Sequence, residues 1–315
     1  MYKVLVIGCG NIGAQYDIDN DEIQTHVKAW YLKSSVVVSV FDINHELATK
    51  VASIYKCEIV NNISSETLSK FDIVCICTPT FTHFEILKNA IEVGVKTIIC
   101  EKPISNSIEE MVQLKELYNK GRSKILVNYI RRFQPSFFSL MSFIQEDLND
   151  DHLTNISIRY QRGFINNCSH AMDLIEFLIG KEINLNQIKI HNVVFDQFEN
   201  DGTLSLMALW DEVNFNILGL GNVLFSHFEI DLYFKKHKIS IKNAGNLIEI
   251  YKSEGESAFL LPLSLQESLS KKECLKNYMV PVTDHAVKLM ENEELEDNFI
   301  SSITLNLKML NYKNN

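Results

Sequence analysis

The 315-residue sequence lacks a long apolar run, a surplus of positive charge and any flexible linker, and each absence excludes something. No apolar stretch approaches the roughly 18 residues needed to cross a bilayer, so a membrane-spanning helix is not expected. The start of the chain enters a strand with no charged n-region and no cleavable apolar segment, and the expectation is a soluble, cytoplasmic protein. Lys and Arg number 30 against 40 Asp and Glu, giving a net charge of −10. Such a chain repels phosphate backbones, which disfavours general nucleic-acid binding. The 12 glycines and 5 prolines form no linker, and the sequence has neither repeats nor low-complexity segments. Cysteine is present but odd in number, at seven. Cys9, Cys75, Cys77 and Cys100 fall in or beside apolar runs and read as small core residues of a reducing compartment. Cys75 and Cys77 share one strand face, but no second pair at ligand spacing accompanies them, so no metal is expected.

What is present is an alternation. Apolar β-branched runs at 2–7, 35–41, 72–77, 96–100 and 124–127 are separated by helical patterns, among them 83–93, ended by Gly94, and 107–118, ended before Gly121. This predicts a doubly wound parallel sheet, whose ligands bind beyond the carboxyl ends of the strands. After residue 128 the pattern changes to strands at 153–160, 186–196, 203–209, 213–218, 223–234 and 237–242 with little helix between them. The exceptions are a helix from about 169 to 179, with Ala171, Leu174, Ile175 and Leu178 at helical spacing and Gly180 as terminator, and another near 297–310. The fold class is therefore α/β: an N-terminal Rossmann domain over 1–125 and a C-terminal α+β domain over 126–315 with a largely antiparallel open sheet. Residues 253–282 carry mixed signals and are left unassigned.

The first strand runs straight into Gly8-Cys9-Gly10-Asn11-Ile12-Gly13. In this context, strand then glycines then helix, the motif is a dinucleotide fingerprint. Gly8 allows the tight turn, Gly10 allows backbone amides near a pyrophosphate, and Gly13 allows the next helix to pack closely. The partial positive charge of that helix terminus favours phosphates. Asp42, at the end of the second strand, is placed to accept from ribose hydroxyls, which favours NAD; a helix cap is its other reading. No arginine follows to hold a 2′-phosphate, although NADP stays open. The distance from the glycines exceeds the usual roughly 20 residues, and an enlarged loop over 15–25 accounts for the excess.

Two further segments follow strands: Thr78-Pro79-Thr80-Phe81-Thr82-His83 and Glu101-Lys102-Pro103. A buried strand thus delivers one lysine to a rigid turn. With Asn128-Tyr129, Arg131-Arg132-Phe133, Pro135 and Ser169-His170-Ala171-Met172-Asp173, these fragments resemble, in order and interval, the Gfo/Idh/MocA oxidoreductases across most of the chain. The resemblance implies an NAD-dependent enzyme in which Asn11, Ile12, Thr78, Pro79, His83 and Glu101 join the glycines and Asp42 around the cofactor. It implies that Lys102 reaches the nicotinamide and a substrate hydroxyl, from a turn with a cis peptide before Pro103, and that His170 is the active-site histidine. A partly desolvated lysine beside a positive ring has a lowered pKa and exchanges protons with an alcohol or ketone near neutrality. Helix capping remains the bland reading of His170. Asp173, one turn on, either orients it, contacts substrate or merely complements the helix dipole.

One residue departs from the family pattern. Many relatives carry an aspartate four residues before the histidine, where this chain has Asn166. An amide cannot take a proton, so a His-Asp dyad is in doubt, although Asn166 can still bind a substrate hydroxyl. Arg131, Arg132 and Arg162 stand close in sequence to these candidates and suit a phosphate or carboxylate on the substrate; salt bridges are their alternative. His26, on the enlarged loop, is a weaker substrate-contact candidate. The expected function is hydride transfer to or from a secondary alcohol or ketone of a sugar or nucleotide-activated sugar. A non-catalytic NAD(P)-sensing regulator and an NAD-dependent glycoside hydrolase are the alternatives. Homodimers or homotetramers through the second-domain sheet are expected.

Overall fold

The computed structural model describes residues 1–195, 198–255 and 261–313. The first sheet has the strands β1 (Tyr2–Ile7), β2 (Val36–Phe41), β3 (Glu58–Ile59), β4 (Ile73–Ile76), β5 (Thr97–Cys100) and β6 (Lys124–Val127) in the order β3-β2-β1-β4-β5-β6. Every pairing in it is parallel. The apolar, β-branched strands are buried on both faces, as parallel sheets require. Between them run α1 (His26–Tyr31), α2 (His45–Tyr55), α3 (Ser65–Leu68), α4 (His83–Glu92) and α5 (Ile108–Lys120). Strand order reverses on either side of β1, so the turn after β1 lies at the topological switch point.

The second sheet is built from β7 (Leu153–Tyr160), β8 (Leu185–Val194), β9 (Thr203–Trp210), β10 (Val213–Gly219), β11 (Phe228–Phe234), β12 (His237–Lys242), β13 (Leu247–Ser253) and β14 (Leu263–Leu265). Their order is β14-β13-β12-β11-β7-β10-β9-β8, and a short β15 (Lys271–Lys272) pairs with β13. All pairings are antiparallel except β7 with β10, so the sheet is mixed. Along β7 the buried Ile156, Ile158 and Tyr160 alternate with the partly exposed Asn155, Ser157 and Arg159. That period of two marks one face against a core and one face open. Two helices belong with this sheet: α6 (Pro135–Ser142) and α7 (Ser169–Ile179), which Gly180 ends in the left-handed conformation. Residue 196 of the strand predicted over 186–196, and 256–260 of the unassigned stretch, lie outside the described residues.

The chain divides into two compact units, and the division departs from the predicted boundary near 125. The first unit is Met1–Phe133 with Asn277–Leu307, and the second is Gln134–Lys276 with the end of the chain. The stretch 277–307, read from sequence as part of the second domain, holds α8 (Met279–Glu291) and the start of α9 (Phe299–Lys313). The physical reason lies at the free edge of β6. Asp297 accepts from the amide of Ile125 at 2.7 Å, while the Asn298 side chain accepts from Val127 N at 2.9 Å and donates to Val127 O at 2.9 Å. Side chains thereby close an edge that would otherwise present unpaired backbone groups. Met279, Val282, Ala286 and Leu289 are buried in the Rossmann core.

All seven cysteines are free thiols. Among the described residues no helix is long and apolar enough to cross a membrane, and no group of three His, Cys, Asp or Glu side chains could hold a metal ion.

Candidate cofactor and acid-base site

Four backbone hydrogen bonds continue the ladder of the first sheet one residue beyond its strands. Gly8 N donates to Phe41 O at 2.8 Å, Cys77 N to Ile7 O at 2.8 Å, Glu101 N to Ile76 O at 3.0 Å and Asn128 N to Cys100 O at 2.8 Å. The motifs found in the sequence are therefore lined up along one carboxyl edge. Gly13 meets its expected demand: a Cβ there would lie 2.0 Å from Gly8 O, which no L side chain tolerates. A Cβ on Gly10 would meet nothing within 4 Å, so the turn presents open space where a pyrophosphate needs to approach backbone.

The helix expected after the glycines is different. It is a single π-wound turn, Asn11–Gln15, and the next helix, α1, starts only at His26. A five-residue turn has almost no macrodipole, so the local amides rather than a helix dipole are what the turn offers to phosphates. The loop between is built around Asp17, which is fully buried. Its carboxylate accepts from Gln24 N at 2.6 Å, Thr25 N at 2.8 Å and Thr25 Oγ1 at 2.8 Å. Thr25 then caps α1.

Asp42 does not cap α2; Asn44 does, accepting from the amides of Glu46 and Leu47. Asp42 instead ties the edge together, its two oxygens accepting from Cys9 N and Asn44 N at 2.7 Å each. A carboxylate has about four acceptor positions, so two remain for ribose hydroxyls. Open space at Gly10, the amides of the turn and this half-used carboxylate fit a nicotinamide dinucleotide.

Thr78 and Pro79 lead from β4 toward α4, and the Lys102-Pro103 peptide is cis. His83, expected among the cofactor contacts, is 1% exposed, with Nδ1 on Pro103 O at 2.9 Å and Nε2 on Thr78 O at 2.8 Å. Both ring nitrogens face backbone carbonyls, and the neutral ring donates its one N–H to one of them. His83 fastens the Thr78-Pro79 turn to the Lys102-Pro103 turn. Lys102 itself is partly exposed.

His26 is likewise not a substrate contact. It is fully buried, and its Nε2 lies 2.9 Å from Glu101 Oε1, the same oxygen that accepts from Asn128 Nδ2 at 2.6 Å. Burial opposes the imidazolium, yet the neighbouring Cys77 and Cys75 sulfurs and the Glu101 carboxylate hold the His26 pKa well above the ordinary histidine value. Burial alone would raise Glu101, but His26, Asn128 and Lys102 hold it below the ordinary carboxyl value. Each partner thus favours the charged form of the other, and Glu101 lies directly before Lys102 in the chain. Sequence reasoning missed the pair because no local pattern links residues 75 positions apart.

Arg131 and Arg132 share a short 3-10 turn, Ile130–Phe133; Arg131 is buried and Arg132 partly exposed. Arg132 helps lower the pKa of His285, after burial and together with Lys288.

In the second unit, Arg162 is exposed with φ of 71°, and the segment after it is a π-wound turn, Phe164–Cys168, leading into α7. Asn166 donates its side-chain amide to Arg162 O at 3.2 Å. His170 is the second residue of α7, partly exposed, and Asp173, one turn later, is buried. The residue that shapes this segment is Asp201, which sequence reasoning overlooked. Its carboxylate accepts from Ile165 N at 3.0 Å and Asn166 N at 2.7 Å, and so caps the turn. Gly163, at φ 87°, allows this, since a Cβ there would lie 2.3 Å from Asp201 Oδ2.

Comparison with known proteins bears on the same segments. Residues 2–129 match the family model described as oxidoreductase family, NAD-binding Rossmann fold, named GFO_IDH_MocA. An inositol 2-dehydrogenase of Rhizobium meliloti is 27% identical over 191 residues, 56% of this chain and 54% of that protein. A UDP-N-acetylglucosamine 3-dehydrogenase of Acidithiobacillus ferrooxidans is 30% identical over 131 residues, 42% of this chain and 38% of that protein. The chain thus matches about half, or less, of the length of these relatives. A solved structure of the same Acidithiobacillus ferrooxidans enzyme has a TM-score of 0.78 at 16% identity, covering 98% of this chain and 96% of its own. The super-repressor mutant of Gal80p from Saccharomyces cerevisiae has 0.76 at 12% identity, covering 99% and 95%. At these identities the structural likenesses establish fold alone. The family match and the geometry of the glycine turn lead to one statement: residues 2–129 carry a Rossmann fold that matches the NAD-binding domain of the Gfo/Idh/MocA oxidoreductase family.

Proposed function

We propose that this protein is an NAD-dependent dehydrogenase or reductase acting on a secondary alcohol or ketone of a sugar-like polyol, with a nucleotide-activated sugar as the favoured substrate. The observation that carries the reading is Lys102: a partly exposed lysine set by a cis-proline turn on the same sheet edge as the glycine turn and Asp42. Bound NAD supplies the hydride chemistry. Lys102 exchanges the hydroxyl proton or stabilises the developing alkoxide. His170, at the start of α7, is the second acid/base, and Asn166, Asp173, Arg131, Arg132 and Arg162 contribute to substrate binding. The names of the relatives, which include an inositol and a UDP-sugar dehydrogenase, support the substrate class.

Asn166, where many relatives carry a carboxylate, favours a second reading, a dinucleotide-sensing regulator without turnover. The two are separated by titrating the protein with NADH and following turnover over inositols, simple sugars and UDP-sugars. The enzyme reading expects saturable binding and turnover, with Lys102→Met lowering the rate about 10²–10⁴-fold while binding persists. Tight NADH binding with no turnover on any of them supports the regulator. Glycoside cleavage that needs bound NAD identifies the hydrolase variant of the same site. Self-association is assigned to the open face of the second sheet, where Met207 and Leu218 are about half exposed beside Arg159, Glu229 and Lys238. Light scattering that finds only monomers rejects it.

A further inference from the structure

We propose that His26 is a positioning residue for Lys102: buried beneath the Glu101-Lys102 turn, it neutralises Glu101 and so sets the charge that Lys102 experiences. The proposal rests on the reading of Lys102 as proton carrier, but the geometry stands independently. Glu101 Oε1 receives two donors, His26 Nε2 at 2.9 Å and Asn128 Nδ2 at 2.6 Å. All three side chains are closed off from water, with His26 at 0%, Asn128 at 1% and the Glu101 side chain at 12% exposure. At such depth an unpaired carboxylate is costly, and its field acts on its neighbours at low effective dielectric.

The ionisable groups around the pair can be named element by element. Cys75 and Cys77 face His26 from the end of β4, and Cys100 faces Glu101 from the end of β5. Tyr278, just before α8, faces both, with Tyr16 and Asp17 of the enlarged loop beside it. Burial pushes the Cys77 thiol up to about 11, and raises Cys100 and Tyr278 further, so these three are uncharged near neutral pH. Asp17 spends its carboxylate on its own loop. The charges that act on Glu101 are then His26 on one side and Lys102 on the other, and both help to keep it ionised.

The consequence has a sign. With His26 in place the pair is neutral overall, and Lys102 sees little net charge from it. Replacing the imidazolium with a neutral amide leaves a bare carboxylate next to Lys102, which favours the charged ammonium and raises its pKa. Replacing Glu101 with an amide removes the carboxylate that favours the proton on the buried His26, so both groups become neutral and Lys102 again sees little net charge from them. A residue that merely holds the turn in shape would not raise the Lys102 midpoint in His26→Gln alone.

The test measures the pH dependence of acylation of Lys102 by an amine-reactive acetylating reagent, read by peptide mass spectrometry on the whole, cofactor-free protein. Wild type is compared with His26→Gln and Glu101→Gln, which keep polar side chains of similar reach. The expected result is a reactivity midpoint about one pH unit higher in His26→Gln and close to wild type in Glu101→Gln and in the double variant His26→Gln with Glu101→Gln. The alkaline limb of any turnover profile should move in parallel. A His26→Gln midpoint that stays put, or one that remains raised in the double variant, overturns the proposal. Should His26→Gln fail to fold, His26→Asn replaces it: an upward midpoint supports, an unchanged or downward one overturns. Wild-type turnover in Lys102→Met would remove the reading of Lys102 as proton carrier, yet the acylation midpoints would still decide whether His26 sets its charge.

Discussion

Glu101 in the first unit and Asp201 in the second are both carboxylates on which candidate residues rest, and they hold them by different chemistry. Asp201 caps a π-wound turn through the backbone amides of Ile165 and Asn166, the close fit to Gly163 fixes its position, and the partly exposed Lys313 ammonium stands 3.6 Å from Oδ1, beyond hydrogen-bond reach. Glu101 takes the buried His26 ring and the Asn128 side-chain amide on one oxygen. A carboxylate that takes backbone amides fixes geometry. One that takes a charge fixes geometry and electrostatics together, so its loss reaches the neighbouring Lys102.

The comparison is most severely strained at Gly163. Gly163→Ala demands a left-handed backbone and puts a Cβ 2.3 Å from the Asp201 carboxylate, so a loss of about 2–3 kcal/mol in urea denaturation is expected. NADH binding should survive in whatever folds, because the glycine turn belongs to the other unit. Loss of NADH affinity equal to the loss of stability would show that the two carboxylates do not act separately.

Asp201→Asn is a gentler probe. One of the two amides loses its acceptor, at a cost of about 1–2 kcal/mol that stays constant between pH 6 and 9. A cost that varies strongly over that range would mean that Asp201, like Glu101, works through charge.

An effect that appears only as pH is varied concerns Glu176 on α7, whose carboxyl burial pushes up to about 7. Its ordinary value is 4.5, so the folded state binds this proton more tightly than the unfolded state. The stability it confers is full below about 4.5 and is lost as pH rises through about 7. Glu176→Gln keeps the acceptor for Ile183 N and never ionises. It should therefore gain on wild type by ~2 kcal/mol between pH 5 and 8 in thermal melts. A gap that is flat or shrinks with pH contradicts the burial argument.

How much of this was legible depends on whether the signal is local. The parallel strands were read to within a residue, because runs such as Lys3-Val4-Leu5-Val6-Ile7 have no other stable state beside a glycine turn. Helix α7 was read end to end from its apolar stripe and Gly180. The two-residue β3, the parallel pairing of β7 with β10 and the return of 277–307 to the first unit were not, since each depends on partners distant in sequence. The site divides the same way. Gly13 and Lys102 announce themselves by neighbours in sequence, whereas His26 and Asp201 earn their places from tertiary hydrogen bonds. His83, placed near the cofactor by the family resemblance, has a further setting that sequence does not show: its buried ring lies between the carbonyls of Thr78 and Pro103.

The central claim is that Lys102 carries the proton in an NAD-dependent oxidation or reduction. It is tested most directly by single-turnover absorbance of the reduced nicotinamide, with wild type and Lys102→Met each saturated with cofactor and mixed with a sugar or inositol that wild type turns over. The account predicts equal cofactor binding and a rate lower by about 10²–10⁴ in the variant. Equal rates in the two proteins would contradict it.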